Sequence, residues 1–102
     1  MARLLVMYKT PLDAAAFDAH YFAKHAPIAR KIPGLRKYEV SKGAVATPAG
    51  PSNIHLVATL WFDDMSAVQN AFASAEGQAA ANDVKTFATG GVDMYVFDSV
   101  EV

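Results

Sequence analysis

Three residues in this chain carry an imidazole: His20, His25 and His55. Only His25 falls on what reads as a buried helix face. Starting from Asp13, a good N-cap, Ala14, Phe17, Tyr21, His25, Ile28 and Ile32 recur at spacings of three and four, the stripe of an amphipathic helix. An imidazole in that stripe has two readings. Desolvated in an apolar cleft it stays neutral and available as a base or hydrogen-bond partner. In a sealed core it is a structural ring, satisfied by a carbonyl such as one freed by Pro27. Pro27 lacks an N–H and clashes with the preceding turn, so the helix is expected to kink or distort beside His25.

The other imidazoles read as solvated rings, His20 on the helix flank and His55 at the start of a strand. His20 and His25 are five positions apart and diverge on an α-helix advancing about 100° per residue. No HxxxH or HxxE pair is present, so no metal site is expected. The absence of cysteine removes disulfides, thiolate nucleophiles, zinc-thiolate sites and iron–sulfur clusters together. Asp13, Asp18, Asp63, Asp64, Glu76 and Asp83 read as caps or solvated helix faces, with no paired-carboxylate site. The glycines build no phosphate-cradling loop, and no Gly-x-Ser-x-Gly elbow occurs.

Around these residues the elements follow from patterning. With 102 residues, 53% of them hydrophobic, the chain reads as one domain spanning 1–102. A net charge of −1 with scattered Lys and Arg, and only a local excess at Arg30, Lys31, Arg36 and Lys37, argues against nucleic acid. No apolar run approaches the roughly 20 residues of a membrane helix, and the first residues lack a leader's pattern, so the expected location is cytoplasmic. Strands are predicted at 2–9, 35–46, 54–62 and 92–102, and a loop at 47–53. One helix runs from Ala14 to the Pro33-Gly34 stop. A second carries Met65, Val68 and Phe72, then Gly77, Ala80, Val84 and Phe87, with a break near Ala75 to Gly77. The order β-α-β-β-α-β suggests a ferredoxin-like α+β sandwich with a four-stranded antiparallel sheet. Two helices cover one face of such a sheet, yet the strands are apolar on both. A homodimer joined sheet to sheet is therefore expected.

The segment "FDAHYFAKHAPIARKIPGLRKYEV", with Phe17, Tyr21, His25, Pro27, Pro33, Gly34, Leu35 and Tyr38, resembles the EthD family of dimeric α+β barrel proteins, and "LWFDDMSAVQNAF" resembles that family's second half. The first stretch is also similar to methylmuconolactone methylisomerases. That resemblance implies a cleft between sheet and helices in each subunit and chemistry on hydrophobic cyclic or aromatic metabolites, often without a cofactor. It points Tyr38 into the cleft, where a phenol can donate to a developing oxyanion. It also puts Thr59 where the isomerase pattern has a cysteine, and so implies that Thr59 and Trp61 share the cleft face. The expected catalytic residues are His25 and Tyr38. Phe17, Tyr21, Thr59 and Trp61 are expected to line the substrate site, and Tyr8 its mouth.

The expected function is a cofactor-independent oxidoreductase, monooxygenase or isomerase of EthD type. Oxidation of a ring by O₂, isomerisation and decarboxylation all fit. Two alternatives stay open: a non-catalytic protein that binds a catabolic intermediate, and a haem or quinol monooxygenase-like protein with His25 as axial ligand.

Overall fold

The computed structural model describes residues 1–102. In chain order it contains β1 (Ala2–Lys9), α1 (Ala14–His20), a π-helical turn (Tyr21–His25), α2 (Ala26–Ala29) and β2 (Lys37–Val40). A short hairpin of β3 (Ala46–Thr47) and β4 (Gly50–Pro51) follows, then β5 (Ile54–Phe62), α3 (Met65–Ala73), α4 (Ala75–Phe87) and β6 (Val92–Asp98). The main sheet has the order β2-β5-β1-β6 with every neighbouring pair antiparallel, the ferredoxin-like arrangement. No helix is long and apolar enough to cross a membrane.

Strict alternation makes β1 a two-faced strand. Ala2, Leu4, Val6 and Tyr8 are buried toward the helices, while Arg3, Leu5, Met7 and Lys9 point the other way. In β5, Leu56, Ala58, Leu60 and Phe62 join the buried set, and Phe17, Val68, Val84 and Phe87 close the core from the helix side. Each of the larger side chains among these, Val, Leu and Phe, contributes about 1.5–3 kcal/mol when fully buried. Along the opposite face lie Leu5, Met7, Val57 and Trp61, with Tyr95 and Phe97 exposed beside them.

The second helical region splits where the sequence suggested. Ser74 ends α3 and caps α4: its hydroxyl accepts from the Gly77 N–H and donates to the Ala71 carbonyl. A Cβ at Gly77 would lie 1.9 Å from that carbonyl oxygen, so the corner admits only glycine.

Three expectations are corrected. The strand predicted over 35–46 is a strand only from Lys37 to Val40; the Ser41 N–H makes one more bond to the Val57 carbonyl, and the chain then turns at Gly43, whose φ is 76°. The expected loop at 47–53 holds the small β3–β4 hairpin. The last strand stops at Asp98, and Ser99, opposite Met1, donates to the Met1 carbonyl from both its N–H and its hydroxyl.

Candidate active site

The distortion expected near Pro27 is a π-helical turn. The Ala26 N–H bonds the Tyr21 carbonyl five residues back, which widens the helix just before the proline and leaves its ring room beside the preceding turn. On an ideal α-helix His20 and His25 would stand about 140° apart. The wider turn swings them together, and both reach Asp83 on α4, so the expectation that they diverge is corrected. The His25 Nδ1–H donates to Asp83 Oδ2 at 2.9 Å, and His20 Nε2 lies 3.0 Å from both carboxylate oxygens. The buried face shifts with the turn: beyond His25 it is Ala26 and Ala29 that are buried, while Ile28 is only partly covered.

His25 is only 5% exposed. Desolvation lowers its pKa below the usual 6.5, while Asp83 pulls upward less strongly and the neighbouring His20 adds to the lowering. Partial burial of Asp83 raises its pKa, but the bonds from His25 and His20 outweigh this and the net shift is downward. At neutral pH the pair is therefore a carboxylate holding a neutral imidazole. Since Nδ1 carries the bonded proton, Nε2 is the free basic nitrogen.

The ring of His25 lines a narrow apolar cavity of about 60 Å³ between sheet and helices, walled also by Tyr8, Tyr21, Tyr38, Leu60 and Met94. The Tyr21 and Tyr38 hydroxyls hydrogen-bond to each other across one side. Tyr8, 1% exposed, forms the floor, and its hydroxyl has no protein partner. Burial raises the pKa of all three phenols, so all remain protonated donors near neutral pH. An imidazole with a free basic nitrogen thus lines an apolar cavity that also holds phenolic donors, an arrangement suited to moving a proton while stabilising an oxyanion.

The structure brings His25, Tyr21 and Tyr38 to one cavity, and four other placements are corrected. Tyr8 lies at the floor of the cavity rather than its mouth. Phe17 packs behind that floor, 5.3 Å from the Tyr8 ring, and does not line the cavity. Thr59 and Trp61 point to the opposite sheet face, because strand alternation assigns the helix side to Ala58 and Leu60, which are in register with Val40 and Tyr38. Trp61 sits there under Arg3 and Lys37, 5.2 and 4.9 Å from its ring.

The sequence pattern assigns Asp83 to a solvated helix face and misses it as the shared partner of His20 and His25. A signal was available, since Asp83 falls within the buried Ala80, Val84 and Phe87 stripe of α4. The other acids behave more nearly as read. Asp13 and Asp64 cap helices, and Asp63 pairs with Arg36. His55, read as solvated, is held by Asp18 at 2.8 Å.

Comparison with known proteins places this geometry in a family. The EthD domain matches residues 9–91. An uncharacterized 11.0 kDa protein in the thcB-thcC intergenic region of Rhodococcus erythropolis is 39% identical over 102 residues, covering 100% of this chain and 98% of that one. Among solved structures, an ethyl tert-butyl ether D (EthD) family protein from Bacillus halodurans superposes with a TM-score of 0.90 at 36% identity, covering 98% of this chain and 99% of that one. SnoaB, a cofactor-independent oxygenase from Streptomyces nogalater, shares the fold with a TM-score of 0.70 at 15% identity, covering 99% and 94% of the two chains. With the domain match spanning most of its length and full-length relatives well above 30% identity, the protein belongs to the EthD family.

Proposed function

We propose that this protein is an enzyme that needs no cofactor and transfers a proton to or from a hydrophobic cyclic or aromatic metabolite, with His25 as the base. The observation that carries this reading is buried His25 at an apolar cavity, its Nδ1–H held by half-buried Asp83 so that Nε2 is left without a protein partner. A carbon acid next to a carbonyl gives its proton to Nε2. The C–H electron pair moves onto the carbonyl oxygen, and the enolate oxygen accepts from the Tyr38 or Tyr8 hydroxyl. Asp83 stabilises the resulting imidazolium.

Two outcomes follow from that enolate. Return of the proton to a different carbon gives an isomer. Addition of the carbanion to O₂, with the proton returned from His25, gives a hydroperoxide that loses water to leave a new carbonyl. SnoaB's description as a cofactor-independent oxygenase lends the second outcome some support.

The test is deuterium uptake and O₂ consumption with aromatic ketones bearing an activated CH₂, with lactones and with hydroquinones. Wild type should exchange or convert at least one class, and His25→Gln should slow that reaction about 10²- to 10⁴-fold. Ligand binding with neither exchange nor O₂ uptake would make the protein a binding module and overturn the enzyme reading.

The same reading includes a homodimer formed through the open sheet face. Leu5, Met7, Val57, Trp61, Tyr95 and Phe97 share that face, an apolar patch of a kind monomers seldom leave in water.

A further inference from the structure

The cavity beside His25 is too small for the ring that the proposed reaction needs. About 60 Å³ is roughly the share of two waters in the liquid, whereas an engineered cavity that takes up benzene measures about 150 Å³. The missing room lies beyond Tyr21 and Tyr38. Both rings also wall a recess of about 80 Å³ that includes Phe22, Arg30 and Val40. Across its Phe22 and Val40 wall that recess adjoins an open cleft of about 860 Å³ under the β3–β4 hairpin. The hydroxyl pair is thus a partition between an inner space holding the base and an outer space large enough for a substrate.

The outer space has a definite chemical character. Arg30 lines the recess and Lys42 the cleft, and neither makes an ion pair. The one carboxylate on the cleft wall, Asp18, is occupied by His55. Phe22 stands between the two spaces 54% exposed, edge-on to Tyr21 at 5.4 Å. An exposed aromatic ring common to two spaces, one lined by Arg30 and the other by Lys42, neither cation in an ion pair, is complementary to a flat, negatively charged molecule. A neutral apolar ligand would leave both cations unused.

We propose that the recess and the cleft under the hairpin form a recognition site for an aromatic anion. Arg30 and Lys42 hold its carboxylate, phenolate or sulfonate, and Phe22 packs on its ring. The reacting end passes between Tyr21 and Tyr38, its oxygen replacing the hydroxyl–hydroxyl bond. Only that last step rests on the proposed role of His25; the anion site stands on its own geometry.

The test uses two dyes that differ by one sulfonate, 1-anilinonaphthalene-8-sulfonate and the uncharged N-phenyl-1-naphthylamine, titrated by fluorescence. The anionic dye should saturate at one per chain and bind more tightly than the neutral one. Arg30→Gln with Lys42→Gln should weaken the anionic dye about tenfold, a loss of about 1.4 kcal/mol, and leave the neutral dye unchanged. Phe22→Ala should weaken both, whereas Lys37→Gln on the opposite sheet face should change neither. Equal affinity for the two dyes, no saturable binding, or full anion affinity in the double variant would overturn the site. Anion binding lost in the double variant, in a protein that shows no exchange, would sustain this site and sink the enzyme reading. Exchange that depends on His25, with no preference between the dyes, would do the reverse.

Discussion

The Asp83→Asn substitution changes one atom's chemistry at the centre of the site. In the wild type Asp83 accepts from His25 Nδ1–H at 2.9 Å and from His20 Nε2 at 3.0 Å, and the Thr86 hydroxyl lies 3.3 Å from Oδ1. An asparagine has one acceptor oxygen and an NH₂ that donates. With the amide oxygen toward His25, His20 Nε2 still lies within 3.0 Å of that oxygen; with the NH₂ toward His25, the Nδ1–H meets a donor. If the amide faces His25, Nδ1 becomes the acceptor and the proton moves to Nε2, which removes the base from the cavity side. The rate should then fall by about 10²- to 10⁴-fold. Loss of a hydrogen bond to a charged group costs about 1.5–3 kcal/mol, and in a domain near this size that lowers Tm by roughly 6–24 °C. Asp83 is also what holds the His25 pKa up against desolvation, so the variant's His25 should titrate still lower than the wild type's. The assay is ¹⁵N and ¹³C NMR of the imidazoles across pH, which reports tautomer and midpoint without a substrate. A wild-type His25 protonated on Nε2 at neutral pH, or a midpoint that stays put or rises in Asp83→Asn, refutes the arrangement.

Other consequences are as direct. Tyr38→Phe should cost about 1–3 kcal/mol by orphaning the buried Tyr21 hydroxyl; Tyr21→Phe should cost less, and denaturation of the double variant should show less than the sum. Because His25's folded pKa lies below 6.5, its contribution to stability is complete above that pH and is lost as pH falls toward the folded value, by at most about 1.4 kcal/mol per pH unit. Thermal melts from pH 7 downward should slope accordingly, and a His25→Gln variant should flatten that slope; an equally steep slope would assign it to another group. Pro27→Ala should let the helix close toward ordinary i→i−4 bonding and move His25's titration toward that of Asp83→Asn, whereas an unchanged titration would show that packing alone holds the π-turn. Tyr95→Lys should convert a dimer to monomer in light scattering, and a wild type that is monomeric at micromolar concentration would remove the sheet-to-sheet pairing.

The legible part of this chain was whatever depends on local periodicity. Alternation in 2–9 and 54–62 gives β1 and β5 with both faces correctly partitioned, and the spacing of Phe17, Tyr21 and His25 gives the buried helix face. Placement across elements was less legible. Alternation groups Thr59 with Val57 and Trp61, but likeness to a cysteine in another pattern assigns that face to the cleft, whereas the helices cover Leu56, Ala58, Leu60 and Phe62. Asp83 looked solvated because its charge outweighed its position, yet a carboxylate within a buried stripe has to find donors, and two imidazoles supply them. The β3–β4 hairpin carried too few residues for any periodic signal.

Pro27 links the covalent chain to the chemistry. A proline within a helix removes one donor and crowds the carbonyl four residues earlier, and the chain can answer by kinking, by breaking or by inserting one residue into the turn. Kinking would carry α2 away from α4, and breaking would expose Ala26 and Ala29, which are buried at 4% and 3%. Insertion keeps both packed, at the cost of rotating everything after Tyr21 relative to everything before it. That rotation is what places imidazoles five positions apart on a single carboxylate. A plain α-helix with the same side chains would present His20 or His25 to Asp83, but not both. The residue that looks like a defect in the helix is therefore the one that assembles the site, and a chain with the histidines kept but Pro27 moved by one position should lose the shared carboxylate.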